Sequence, residues 1–260
     1  MSLHLVKEEN ITLDELQIVV LDCPYNSFAD PLTQKLFGKF VDMKLRGFLE
    51  EYEHGIVPLG SYDFIGTILL VCRKNGKRMD DLEPVFCFKS STLDRTNYFS
   101  LPFELTEWFH SEAERPHREA VQKIIDRAEK NNIHLGYNSS WTIDPSWRSE
   151  PSLKQLAREL SVAVFTNYYT SYKIQEILIG GVLRFKVDKI QAFLGFDYLK
   201  LNGEALPPVE AWFAKKEKAI LMHLTQFSKE ALELASKYKT LWENRITVDL
   251  KTYEKNKKAA

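Results

Sequence analysis

Cysteine is scarce in this chain, with three among 260 residues, and no two of them are spaced as C-x-x-C. Cys72 and Cys87 lie inside apolar runs, and Cys23 precedes a proline. An odd number of thiols in apolar settings argues against a disulfide framework and favours reduced, buried side chains in a cytoplasmic protein. We therefore expect small core residues rather than nucleophiles at Cys72 and Cys87.

Motifs for metals and nucleotides are also missing. The histidines show no metal-ligand spacing such as H-x-x-x-H, so we expect no metal site. The sequence lacks G-x-G-x-x-G and G-x-x-x-x-G-K-[ST], which removes the main support for binding of a dinucleotide or a nucleoside triphosphate. No Ser/His/Asp catalytic arrangement is visible in the sequence either.

Neither sign of charge dominates, because 35 Lys and Arg residues balance 36 Asp and Glu residues. A broad nucleic-acid surface is therefore not expected. No apolar run reaches the ~18 residues that a membrane span needs, and the first residues do not resemble a signal peptide. These absences favour a cytoplasmic protein. Hydrophobic residues make up 44% of the chain, enough for a substantial core.

The first half of the sequence predicts strands and one long helix. An apolar run at 18–21 predicts a strand. Residues 31–49 have helical apolar spacing, with Asp30 as the N-cap and a proline in the first turn. Apolar, β-branched segments at 62–72 and 83–92 flank turn residues and predict antiparallel neighbours.

The second half alternates helices and strands. The patterns predict a helix over 113–131, a strand over 133–143, a helix over 152–169, a strand over 174–182, a helix over 183–194 that Gly195 ends, and a strand over 196–201. After Pro207-Pro208 the chain becomes Lys-rich, and an apolar stripe predicts a helix over 209–244. We therefore predict a main domain over 1–206 and a C-terminal helical extension over 207–260 that packs on it. An oligomer contact, as in a homodimer, is the alternative for that stripe.

The series strand, Arg148, helix, strand, helix and Gly195-Phe196 resembles the GNAT-like acyl-CoA N-acyltransferase superfamily over roughly 18–203. The resemblance implies an α/β (α+β) fold with a mixed central sheet flanked by helices. In this family the central strand splays from its neighbour to admit the pantetheine arm of the acyl carrier, and a helix N-terminus binds the pyrophosphate. Pro151 and Leu153 stand where the family has glycines, and Gln191 replaces a common general-acid tyrosine.

The resemblance also implies site residues. The donor, an acyl-CoA or acyl carrier protein thioester, would contact the segment after the central strand, namely Ile143, Arg148, Ser149, Ser152 and Leu153. More distantly, the chain is similar to the acyl-homoserine-lactone synthase and long-chain N-acyltransferase branch, through Arg46, Tyr62-Asp63 and Lys89. Where that branch has Glu and Arg on the central strand, this chain has Tyr137 and Ser140.

Chemistry at such a site needs a deprotonated amine and a polarised thioester carbonyl. Asp63 is the first candidate to hold or deprotonate the amine. Tyr137 and Ser139 are further catalytic candidates, and the acceptor would be held by Arg46, Lys89 and Asn138. Each has a plain structural alternative: a helix cap or turn residue for Asp63, a polar strand end for residues 137–139, and lone surface cations for the other two.

The resulting prediction is an N-acyltransferase that acts on a small-molecule amine such as an amino acid. The altered glycine loop and the missing tyrosine leave a second reading open, a catalytically inactive GNAT-like protein that binds a ligand or partner. A third is a structural protein whose C-terminal helix pairs with a partner.

Overall fold

The computed structural model describes residues 11–52, 59–76, 78–211 and 217–259. His4, His54 and the predicted end of the first long helix at 55–58 lie outside these ranges. The strands are β1 (Leu16–Asp22), β2 (Thr67–Lys74), β3 (Leu82–Thr92), β4 (Leu135–Ile143), β5 (Glu176–Val182), β6 (Asp197–Tyr198), β7 (Lys200–Leu201), β8 (Glu204–Ala205), β9 (Val209–Glu210), β10 (Lys218–Leu224) and β11 (Ile246–Val248).

The α-helices alternate with the strands. They are α1 (Pro24–Ser27), α2 (Pro31–Leu49), α3 (Ser61–Ile65), α4 (Leu93–Tyr98), α5 (Arg115–Asn131), α6 (Pro145–Ser149), α7 (Pro151–Ser171), α8 (Val187–Leu194), α9 (Lys229–Lys237), α10 (Lys239–Glu243) and α11 (Leu250–Ala259). Short 3₁₀ turns include Glu104–Trp108 and Leu183–Phe185, which both bear on the site described below. None of the described helices combines the length and apolarity needed to span a bilayer.

The described strands form a nine-stranded mixed sheet in the order β11-β1-β2-β3-β4-β5-β10-β6, with β9 on β10, beside a separate β7-β8 pair. The pairs β1–β2, β2–β3 and β3–β4 are antiparallel, whereas β4 is parallel to β5 and β1 is parallel to β11. The predicted α/β class, with a mixed sheet flanked by helices, is therefore confirmed. The predicted antiparallel pairing of β2 and β3 is confirmed as well.

Alternating side chains divide the sheet between two layers of helices. Ile18, Val20, Leu69 and Phe88 lie in one buried cluster with side chains of α7. The side chains between them along the strands, such as Val19, point to the other face of the sheet, where they pack on α2. A further buried cluster packs on α5. This is the period of two that a strand buried on both faces requires.

Local signals that the sequence supplies are found at the helix ends. The Asp30 carboxylate accepts a hydrogen bond from the Leu32 amide at 3.1 Å, with Pro31 in the first turn, as predicted. Helix α8 ends at Gly195, whose φ of 108° is left-handed. The cysteines are free and buried, as expected, and burial raises the pKa of the Cys87 thiol to about 12.

Two predicted elements are corrected. Residues 61–65 form α3 rather than the start of a strand, because the Asp63 carboxylate accepts the Gly60 amide and caps a helical turn. The predicted helix over 209–244 is wrong at 218–224, where β10 lies inside the sheet between β5 and β6. The apolar run of β10, which is buried on both faces, is typical of a central strand. The C-terminal segment thus supplies strands to the main sheet as well as helices.

Candidate active site

A gap opens between the two parallel strands at the centre of the sheet. Strands β4 and β5 pair over Leu135–Asn138 and Glu176–Ile179 only. Beyond that point β4 continues against β3 up to Ile143, and β5 continues against β10 up to Val182. The separation of these strands, which the sequence resemblance implied, is therefore present. We call this space the β4–β5 gap.

A bulge in β4 lies where the strands part. Between the paired positions Cys87 and Lys89, β3 has one residue, whereas β4 has two between Ser139 and Thr142. One of those two is Ser140, whose φ of 57° is left-handed, which is uncommon for a residue with a side chain. An extra residue bends the bulged strand. The bulge thus turns β4 away from β5 at the point where their pairing stops.

Two glycines let flanking side chains approach β5 closely beside the gap. A Cβ on Gly180 would lie 2.8 Å from the Trp108 ring, and a Cβ on Gly181 would overlap Val187 of α8. On the β4 side, the Trp141 ring packs against aromatic side chains of β3 and α7. Apolar groups therefore flank both strands beside the gap.

A buried charge cluster lies beside the gap on the α2 face. The Asp63 Oδ1 atom is 3.0 Å from Lys44 Nζ and 3.2 Å from Lys89 Nζ. Lys89 Nζ is also 2.9 Å from Glu104 Oε1. The Ser139 hydroxyl donates to the same Glu104 oxygen at 3.2 Å. The cluster therefore extends from Asp63 to the first β4 residue beyond its pairing with β5.

Mutual attraction opposes the effect of burial on Asp63 and the two lysines of this cluster. Burial alone would raise the pKa of Asp63, yet Lys89 and Lys44 hold that pKa below its ordinary value. Burial alone would lower the pKa of Lys89, but Glu104 and Asp63 raise it above the usual lysine value. For Lys44 burial prevails, and its pKa is lowered. Asp63 is thus a fixed anion that positions two ammonium groups.

The other two candidates on the central strand point to different places. Tyr137 is 1% exposed and packs on Phe103, and burial raises its pKa well above the ordinary value. Asn138 is fully buried and donates to the Lys89 carbonyl at 3.2 Å. The structure therefore brings Asp63, Lys89 and Ser139 into one cluster, whereas Tyr137 lies in the core beside it.

Arg46 lies away from that cluster. Its guanidinium Nε is 2.8 Å from Asp42, and Nη1 is 2.7 Å from Asp144 just after β4. Asp144 also caps α6 by accepting the Ser146 amide. Arg46 thus ties α2 to the end of β4, and it does not meet Lys89.

The predicted donor-binding segment is built differently from the expected strand-to-helix turn. The short helix α6, which contains Arg148, lies between β4 and α7, where the sequence predicts a strand, Arg148 and a helix in series. The N-cap of α7 is Glu150, and Ser152 is not a cap because its hydroxyl donates to the Glu150 carboxylate. Ser149 donates to the Ser146 carbonyl.

Leu153 and Ile143 both pack against the core cluster on the α7 face. Arg148 donates to Glu51 and Glu50, both at 2.6 Å. Of the five predicted donor contacts, only Arg148 places a charged group at this end of the gap.

Sequence reasoning missed two members of the charge cluster. Lys44 sits within the buried stripe of α2, which includes Phe40 and Gly47, and a lysine in that stripe was the available signal. Glu104 lies two residues after Pro102 and begins a 3₁₀ turn, and no pattern in the sequence marks it. Within the described ranges, no group of three or more His, Cys, Asp or Glu side chains could hold a metal ion.

Comparison with solved structures finds likenesses at low identity. The AHL synthase LasI aligns at 14% identity with a TM-score of 0.48, covering 90% of this chain and 96% of its own. The CoA-dependent acyl-homoserine lactone synthase BjaI aligns at 13% identity with a TM-score of 0.49, covering 90% of this chain and 92% of its own. FeeM, an N-acyl amino acid synthase from uncultured soil microbes, aligns at 11% identity with a TM-score of 0.46, covering 81% of this chain and 91% of its own.

No protein-family model and no curated protein matches the chain. These likenesses are in fold, and the function of the chain has to be argued from its own geometry.

Proposed function

We propose that this chain transfers an acyl group from an acyl-CoA or acyl carrier protein thioester to the amine of a small molecule such as an amino acid. The observation that carries the proposal is the β4–β5 gap, which opens at the Ser140 bulge beside the charge cluster. Strand edges that no longer pair with each other present N–H and C=O groups. An extended, amide-containing arm such as pantetheine pairs with such an edge as an added strand does.

The donor would lie along β4 with its thioester near the bulge. Backbone N–H groups of β4 beyond Ser139 would face the thioester carbonyl and stabilise the oxyanion that forms when the amine attacks. Apolar side chains around the gap, including Trp108 and Trp141, suit an acyl chain. Much of the rate would come from holding the two reactants together.

The acceptor would approach from the charge cluster. Glu104 is the member closest to the gap, because Ser139 donates to its carboxylate. We assign to Glu104 the proton that the amine loses as the C–N bond forms and the C–S bond breaks, and water protonates the departing thiolate. Asp63 remains in the site as the anion that fixes Lys89, and Lys89 would attract a carboxylate on the acceptor.

The direct test is release of free thiol from a panel of acyl-CoA and acyl carrier protein thioesters mixed with small amines. We expect release with at least one pair. The Glu104→Gln variant should lower turnover by about 10²-fold or more, while Glu107→Gln, an exposed residue of the same 3₁₀ turn, serves as the matched control. Absence of both thiol release and thioester binding across the panel would refute the proposal.

One observation favours the second candidate, a GNAT-like protein that binds a thioester without turnover. Glu150 and Pro151 stand at the start of α7, where a negative charge and a missing N–H weaken the seat for a pyrophosphate. Saturable thioester binding with no product from any amine supports this candidate. A homodimer stays a prediction, which light scattering of the purified chain checks.

A further inference from the structure

A single carboxylate joins the far ends of the two strands that border the β4–β5 gap. Glu51, two residues after the end of α2, accepts from Arg148 Nη1 at 2.6 Å and from Arg184 Nη1 at 3.2 Å, one guanidinium on each oxygen. Arg148 belongs to α6, directly after β4, and Arg184 belongs to the 3₁₀ turn directly after β5. The bridge therefore crosses the wide end of the gap.

The surroundings of the two arginines are rich in acid. Glu50 accepts a second bond from Arg148 at 2.6 Å, and Glu217 accepts from Arg184 Nε at 2.7 Å. The Arg184 guanidinium also lies 4.2 Å from the centre of the Phe185 ring. Three carboxylates thus surround two guanidinium groups, and the Arg148 Nε atom is buried without a hydrogen-bond partner.

Two guanidinium groups that share one oxyanion are well suited to a phosphate. Each guanidinium presents N–H donors in a planar fork that matches carboxylate and phosphate oxygens. A pyrophosphate or phosphodiester would offer more oxygens and more charge than the single carboxylate of Glu51. In the described structure the chain's own side chain occupies the position that such an anion would take.

We propose, resting on the proposed acyl transfer, that Arg148 and Arg184 form the binding site for the phosphate group of the donor, and that Glu51 closes this site until the donor displaces it. Pyrophosphate of coenzyme A and the phosphodiester of a carrier-bound pantetheine share the required chemistry. Glu51 is half-buried, and the cost of displacing it is offset because the phosphate takes over both guanidinium groups and the Glu51 carboxylate returns to water. The two arginines thus bind the donor phosphate, which the start of α7 is poorly suited to bind.

The test measures binding of coenzyme A by calorimetry to the wild type and to matched variants at fixed salt. Glu51→Gln should tighten binding by about three- to tenfold, because the variant removes the carboxylate charge that competes with the anion for the two guanidinium groups. Arg184→Gln should weaken it. Glu159→Gln is the control, because this carboxylate also bridges neighbours, Lys237 and Tyr238, but on α7 and α9.

Competition identifies the recognised group and its source. Inorganic pyrophosphate should displace coenzyme A from the wild type and more strongly from Glu51→Gln. Phosphopantetheine that binds as tightly as coenzyme A indicates a carrier protein as the source, and tighter coenzyme A indicates the free cofactor. Affinity in Glu51→Gln that is equal to or below that of the wild type, or unchanged affinity in Arg184→Gln, overturns the proposal. Circular dichroism shows whether each variant is folded.

The outcomes separate this site from the proposed reaction. If thioesters are turned over but Glu51→Gln leaves the donor KM unchanged, the phosphate site is wrong while acyl transfer stands. If Glu51→Gln tightens coenzyme A binding and no amine is acylated, the phosphate site stands and acyl transfer is wrong.

Discussion

Replacing Asp63 by Asn should expose the electrostatic cost of the buried cluster. Lys44 Nζ has Asp63 as its ion-pair partner at 3.0 Å, whereas Lys89 retains Glu104 at 2.9 Å. The asparagine oxygen can still accept the Gly60 amide. The variant therefore leaves chiefly one ammonium group, that of Lys44, buried without its counter-charge.

The magnitude follows from two limits. Removing one partner of a buried ion pair destabilises a protein by about 3–5 kcal/mol. The folded chain can instead neutralise Lys44, whose ordinary pKa is 10.5. At pH 7 that costs at most about 5 kcal/mol, because each pH unit below the ordinary pKa corresponds to about 1.4 kcal/mol. We therefore expect the free energy of unfolding to fall by about 3–5 kcal/mol.

The pH dependence gives the sharper test. Without Asp63 the folded pKa of Lys44 falls further below 10.5, so the unfolded chain binds a proton that the folded chain does not. Between that lowered pKa and pH 10.5 the stability of the variant therefore rises with pH. Its deficit relative to the wild type shrinks by up to about 1.4 kcal/mol per pH unit over this range. Urea denaturation with constant m-values measures this deficit.

Two variants control the interpretation. The double variant Asp63→Asn with Lys44→Met should recover much of the loss, because it removes the unpaired charge and keeps an apolar stem. Asp42→Asn, which affects an exposed carboxylate on the same helix as Lys44, should change stability by less than about 0.5 kcal/mol. A deficit below about 1 kcal/mol, or one that does not vary with pH, would refute the reasoning.

Two further predictions concern packing and protonation. Gly47→Ala places a methyl group against Thr142 of β4 and should destabilise by about 1–3 kcal/mol in thermal unfolding; Gly38→Ala, with open space on the same helix, should stabilise by about 0.5–1 kcal/mol. The hydrogen bond to Asp94 raises the pKa of His134, so its stabilising contribution is present below pH 6.5 and lost as pH rises through the folded pKa. In an NMR titration, Asp94→Asn should return that pKa toward 6.5, and an unchanged pKa contradicts this.

Elements with strong local signals were predictable from the sequence. Helix α2 follows its N-cap and first-turn proline, α8 ends at a left-handed glycine, and the β2–β3 hairpin follows its turn residues. Strand β10 was not predictable by the same means. Leu221 and Leu224 have the three-residue spacing of a helix, and an apolar run that is buried on both faces shows no period of two. The deciding factor is pairing with β5, which lies far along the chain.

The site shows the same limit. Asp63 and Lys89 were named as candidates, and they do form an ion pair. Glu104 belongs to that cluster only because its loop folds over β3, and nothing in its neighbours predicts this. The contact between Glu51 and Arg184 joins residues 133 positions apart, so no spacing in the sequence could reveal it.

The parallel pairing of β11 with β1 has a consequence for how the molecule is made. Val19 lies beside Ile246 in the sheet, although almost the whole described chain separates them. A ribosome produces β1 early and its outer neighbour late, so that edge stays uncovered during translation, when open strand edges invite misassembly. Nascent chains halted before residue 246 should accordingly depend on chaperones more than chains that extend past β11.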